Sequence, residues 1–173
     1  MTSNVREDQR ILGSLRTADG VGVVRIQDRF DTGIDDMWSA LTDPRRLSRW
    51  LGDVEGELRL GGEFRARFFA SGWEGTGRVD ECEPPRRFKV TTKEQDQDEL
   101  VTEVTLTADG DQTVLVAEER GMPLDQLANF GAGDQIHIED LGDYIAGRER
   151  RTDMKERWEE LRPAYQAMAA KAV

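Results

Sequence analysis

The sequence predicts an α+β fold, a curved antiparallel sheet of seven strands wrapped on a C-terminal helix. Three observations carry this. Between Gly20 and Glu119, apolar and polar residues alternate in run after run, the period of strands with one buried face. Turn residues separate the runs: Gly61-Gly62, Ser71-Gly72 and Asp109-Gly110. Beyond Glu119 the apolar spacing lengthens to that of a helix. Strands grouped together with helices after them read as α+β rather than as a doubly wound parallel sheet.

The elements follow in order. Residues 1–19 are polar and mixed in sign apart from Ile11, Leu12 and Leu15; they predict a flexible leader with one helical turn around Arg10–Leu15, the domain proper spanning 20–173. Gly20–Phe30 is a strand with Val24, Ile26 and Phe30 on one parity. Ile34, Met37, Trp38 and Leu41 recur at helical spacing, with Asp35 and Asp36 in the first turn, where the helix dipole favours acids. Asp43-Pro44 opens a second short helix, because proline suits the first helical position. It carries Leu47, Trp50 and Leu51. Val54–Leu60 and Glu63–Phe69 pair through Gly61-Gly62, with Phe64, Ala66 and Phe68 opposite Arg65 and Arg67. Trp73–Cys82 holds Trp73, Gly75, Gly77 and Val79 at one parity. After the rigid connector Glu83-Pro84-Pro85 come strands Phe88–Lys93, Leu100–Thr107 and Thr113–Glu119. Leu127, Phe130, Ile138, Leu141 and Ile145 predict a helix interrupted at Gly131-Ala132-Gly133 and ended by Gly147. Met154, Trp158, Leu161, Tyr165 and Met168 form the stripe of a last helix, which Pro163 is expected to kink or divide at Arg162.

Composition removes several functions. The chain has 173 residues, 24 basic and 35 acidic, a net charge of −11. That balance opposes binding to nucleic-acid phosphates and anionic lipid. One histidine cannot furnish a typical catalytic zinc site, and one cysteine allows neither an internal disulfide nor a thiolate cluster. Cys82 reads as an inert buried thiol. No run approaches the ~20 apolar residues of a membrane span, and residues 1–8 lack the apolar core of a signal peptide. The expectation is a cytoplasmic protein, monomeric, with no metal, no cofactor, no nucleic acid and no membrane span. Asp96–Glu99 and Asp109-Gly110-Asp111 lack calcium-loop spacing and read as solvated turns. Arg148-Glu149-Arg150-Arg151 reads as capping the preceding helix.

Particular residues add a family. Ile34-Asp35-Asp36-Met37-Trp38-Ser39-Ala40-Leu41-Thr42-Asp43-Pro44, then Leu47 and Trp50-Leu51, Leu60-Gly61-Gly62-Glu63-Phe64, Gly77-Arg78-Val79 and Glu83-Pro84-Pro85-Arg86-Arg87-Phe88 form one set. His137-Ile138-Glu139-Asp140-Leu141, Ile145-Ala146-Gly147 and Arg157-Trp158 complete it. This pattern, from Val21 to Tyr165, resembles the START-like (SRPBCC) superfamily with its helix-grip fold. Within it, the pattern is most similar to single-domain homologues of the activator of heat-shock-protein-90 ATPase. Relatives often carry a large aromatic where this chain has Asp134, which would cap the gripping helix and make that end of the interior more polar.

The resemblance implies a cavity between sheet and helix. Phe64, Phe68, Trp73, Val90, Val104, Leu127, Phe130, Leu141 and Tyr144 would line it, or would fill it as plain core. Gly75 and Gly77 would leave a groove on their strand or mark a bend. Tyr144, His137 and Thr102 would orient a ligand. His137, with Asp134 or Glu139 beside it, is the sole imidazole available as a base, and a structural histidine is the commoner case. The implied function is non-catalytic binding of a hydrophobic small molecule, a lipid or polyketide-like metabolite. Three alternatives share the fold: enediyne-type antibiotic self-resistance by sequestration or self-sacrifice, a polyketide cyclase/aromatase-like enzyme, and a co-chaperone of heat-shock protein 90. Self-sacrifice would use a glycine, whose Cα hydrogen is unshielded. Turn glycines such as Gly110, or Gly75 and Gly77 of the cavity, are the candidates, and Asp-Gly is equally an ordinary hairpin turn.

Overall fold

The computed structural model describes residues 10–173. Eight strands form one antiparallel sheet: β1 (Gly13–Ala18), β2 (Val21–Phe30), β3 (Gly52–Gly56), β4 (Glu63–Phe68), β5 (Glu74–Glu83), β6 (Arg87–Glu94), β7 (Leu100–Asp109) and β8 (Gln112–Met122). Their order across the sheet is β1-β2-β8-β7-β6-β5-β4-β3. Every sequential pair is a hairpin except β2 to β3, which lie seats apart. Helices α1 (Ile34–Thr42) and α2 (Pro44–Trp50) carry the chain between them. After β8, a 3-10 turn at Leu124–Gln126 leads into α3 (Leu127–Ile145), followed by α4 (Met154–Ala172). The class is the expected helix grip.

Short helix α2 starts as its sequence dictates. Pro44 occupies the first turn, and the Asp43 side chain accepts a hydrogen bond from the Arg45 amide at 3.0 Å. At its other end Trp50 is buried, its indole N–H donating to the Ala40 carbonyl at 3.0 Å and so locking α2 onto α1.

The sheet has eight strands, not seven, because part of the expected leader is structured. Gly13–Ala18 pairs with β2 from Gly13↔Ile26 to Ala18↔Val21. Asp19 and Gly20 turn the chain with φ of 54° and 81°, the two positive values a tight hairpin needs. Leu12 and Leu15 pack on the core, so the segment has an apolar anchor and no helical turn. The first nine residues of that leader lie outside the described residues. Elsewhere, β3 stops at Gly56, and Gly61-Gly62 closes a longer connection in which the Gly62 amide donates to the Arg59 carbonyl at 2.7 Å.

Three expectations about the helices are corrected. First, α3 runs unbroken through Gly131-Ala132-Gly133. A β-carbon on Gly131 would lie 2.5 Å from the Tyr165 ring, so this glycine admits α4 rather than ending α3. Second, α4 is not divided at Arg162; Leu161 and Tyr165, on either side of Pro163, are both buried against Ala132 and Ile136 of α3 and hold the two halves in one rod. Third, α3 begins at Leu127, so Asp134 sits two turns inside it and cannot cap it. Nor do Arg148 and Arg151 cap α3 through their side chains: they pair with the carboxylates of Asp143 and Asp140, at 2.9 and 2.7 Å.

The main core lies between the sheet and α3, with Ile26, Leu115, Met122, Leu127 and Leu141 essentially sealed from solvent. Burial of each such side chain stabilises the fold by roughly 1.5–3 kcal/mol. Polar ties join the N-terminal strand to both helices. Buried Gln135 of α3 accepts from the Leu12 amide (3.0 Å) and from the Tyr165 hydroxyl of α4 (2.5 Å), and donates to the Arg10 carbonyl (2.7 Å). Arg157 of α4 grips Glu139 with two bonds, at 2.8 and 2.6 Å.

Candidate functional site

A cavity of ≈ 450 Å³ lies between the inner face of the sheet and α3. Strand parity builds its wall. Phe64, Ala66 and Phe68 come from β4, Leu100, Thr102 and Val104 from β7, and Leu115, Ala117 and Glu119 from β8, each set at every second residue. Phe130, Gly133, Asp134 and His137 form the opposing wall, spaced so that one face of α3 presents them. Leu41, Leu47, Trp50 and Leu51 of the α1–α2 segment close a further side.

The structure places Phe64, Phe68, Trp73, Val90, Thr102, Val104, Phe130 and His137 of the expected set on this wall. It places five elsewhere. Leu127 and Leu141 are fully buried in the solid core. Tyr144 lies one turn farther along α3, where its hydroxyl accepts from Arg46 Nε at 2.8 Å, and the guanidinium covers its ring. It therefore orients nothing in the cavity. Gly75 and Gly77 do leave a groove, but rings occupy it. A β-carbon on Gly75 would come within 2.6 Å of the Trp73 indole, and one on Gly77 would collide with the Phe64 ring. Gly110 forms the exposed β7–β8 turn at φ 60°, about 17 Å along β8 from Leu115.

One side of the cavity is a row of rings. Trp73 stacks on Phe68 with centroids 5.0 Å apart, and His137 meets Phe68 edge-on at 5.3 Å. Among the described residues, the fully buried His137 Nε2 has no hydrogen-bond partner. Desolvation pushes the imidazole down to about 4, so it is neutral at pH 7.

The polar feature of the wall is a pair of acids. Thr102 and Glu119 stand directly opposite each other on β7 and β8, and the threonine hydroxyl donates to Glu119 Oε2 at 3.0 Å. Asp134 reaches from α3 to hydrogen-bond Glu119. Burial raises both carboxyls above their ordinary range, and Glu119 raises Asp134 further. Two carboxylates side by side in a low dielectric oppose each other's ionisation, which adds to the effect of burial. The residues expected to line the cavity did not include Glu119. Its signal was present: it shares the parity of Leu115 and Ala117, an acid at an inward position of a strand.

Fold and cavity together define a helix-grip protein with an interior cavity. The chain belongs to the family of activator of Hsp90 ATPase homolog 1-like proteins, whose pattern it matches over residues 31–146. It is similar to CalU16 from Micromonospora echinospora. The crystal structure of that protein shares 30% identity and a TM-score of 0.77 over 91% of this chain and 95% of that one. Its solution structure gives 27% and 0.78 over the whole of both. DynU16, a protein of the dynemicin biosynthetic locus, shares 27% identity with a TM-score of 0.69 over 79% of this chain, which spans about half (51%) of DynU16. No curated protein matches the chain. Among the described residues, no helix is long and apolar enough to cross a membrane.

Proposed function

We propose that the protein sequesters a hydrophobic small molecule, a lipid or polyketide-like metabolite, between sheet and α3 without transforming it. The observation that carries this reading is the ≈ 450 Å³ cavity with its largely apolar wall. That volume falls within the ~300–1,000 Å³ of small-molecule sites. A ligand burying ~300 Å² of apolar surface there gains roughly 7 kcal/mol before the cost of immobilisation. Similarity to a protein of a biosynthetic locus supports a metabolite as the occupant. The test is calorimetry and amide-shift mapping with long-chain lipids and aromatic polyketides. Shifts should concentrate at Val90, Thr102, Val104, Phe130 and His137, and Ala117→Trp, which fills the space, should abolish binding. If no compound moves interior amides, the reading fails.

Antibiotic self-resistance is the second reading, favoured by the similarity to DynU16 and by Gly110. Nothing lies within 4 Å of the position a Gly110 side chain would take, so its Cα hydrogen is open to attack. Incubation with an activated enediyne followed by mass spectrometry tests it: cleavage at Gly110 supports self-sacrifice, and an intact chain excludes it.

A further inference from the structure

The cavity wall is one-sided in its charge. Among its described lining residues are three carboxyls, Glu94 at the exposed rim and Glu119 and Asp134 inside, and neither lysine nor arginine. Around the inner pair, hydrogen bonding is one-sided as well. Among the described residues, the four oxygens of the inner pair meet one protein donor, the Thr102 hydroxyl. His137, one turn along α3 in the same wall, has its Nε2 buried and without a partner among the described residues. Its neutral ring carries one acceptor nitrogen beside one N–H. An apolar chamber ending in unfilled acceptors matches a ligand that brings donors and a positive charge. A carbonyl or carboxylate head would meet acceptors with an acceptor. An alcohol supplies a single donor and no charge.

Resting on the reading of this cavity as a ligand site, we infer that its ligand is an apolar molecule bearing a basic amine, whose ammonium group seats against Glu119 and Asp134. The ammonium N–H groups would donate to both acids and link them. Charge-assisted bonds of this kind are about twice as strong as neutral ones. The chain's net charge of −11 draws cations toward the protein and opposes anionic ligands. The apolar body then lies along the Phe64, Val90 and Val104 wall.

Two probes with one aromatic body separate the claims: 1-pyrenemethylamine and 1-pyrenemethanol, titrated at pH 7.5 and followed by pyrene fluorescence. The amine should bind at least tenfold more tightly. Glu119→Gln/Asp134→Asn should erase that preference and keep the alcohol's affinity, with circular dichroism confirming the fold. Asp134→Asn alone, the milder change, should reduce the preference in the same direction. Equal affinities in the unaltered protein, or a preference that survives in the double variant, overturn the amine assignment and leave the cavity reading in place. Failure of both probes to bind overturns the two together.

Discussion

Replacing Gln135 by leucine removes a polar hub at nearly constant volume. The buried Gln135 side chain holds the Leu12 amide, the Arg10 carbonyl and the Tyr165 hydroxyl, and also donates to Glu139 at 3.0 Å. Leucine leaves the Leu12 N–H and the Tyr165 O–H without their acceptor. Each such orphan costs roughly 1–3 kcal/mol, and two put the loss at about 3 kcal/mol. A chain of 173 residues unfolds with an entropy near 0.36 kcal/mol/K, so the melting temperature should fall by about 8 °C. Calorimetry reads this shift. Hydrogen exchange on β1 should accelerate more than on β7, because the lost bonds moor the N-terminal strand. Tyr165→Phe deletes one of the two orphans in advance, so the double variant should lose less than the two single losses combined. A Gln135→Leu protein that melts within about 2 °C of the original, or strictly additive losses, would refute the hub.

Other outcomes follow from the same geometry. Gly77→Val should cost about 1–3 kcal/mol in thermal unfolding and weaken any cavity ligand, because the new side chain drives the Phe64 ring into the space; unchanged binding would count against that seat. Burial raises the Asp140 carboxyl to about 6 from an ordinary 3.8, so the folded state holds more protons than the unfolded chain between these values. The stability this group contributes is present below pH 3.8 and is lost as pH rises through 6, a change of ~3 kcal/mol, and Asp140→Asn should flatten that part of the stability–pH curve measured by urea unfolding. The His137 ring carbons should keep their neutral NMR shifts from pH 8 down to about 5, given a value near 4; a midpoint above 6 would contradict its desolvation.

Period and turn chemistry made most of the sheet readable, and the reasons for the misses are local. Asp19-Gly20 is a strong hairpin signal. Yet the strand before it, Gly13–Ala18, has a single large apolar residue, Leu15, and so shows no alternation. An edge strand paired on one side can afford that composition. Gly131 reads as a break in isolation; only the Tyr165 ring, thirty-four residues on, explains it. The cavity's strand walls followed from parity, which equally marks Glu119 as inward. Tyr144 shares a helical stripe with His137 and Leu141, but periodicity gives direction around α3 and not the point along it where the cavity ends. Arg46, on another element, fixes that point.

The strand order also bears on how the molecule comes together. From β3 to β8 every neighbour in the sheet is the next strand in the chain, so each pairing closes a short loop. The β2–β8 seam is different: it joins Phe30 to Thr113 and Gly22 to Met122 across the whole meander. Loop-closure entropy concentrates there, and pairings of such separation form late. Strands β4 to β8, which supply most of the cavity's sheet wall, can therefore assemble as a local unit before β2 docks. A chain stalled at that stage would expose the apolar wall that the finished protein encloses. Zipping of the seam is thus the step that turns an exposed apolar wall into the lining of a cavity.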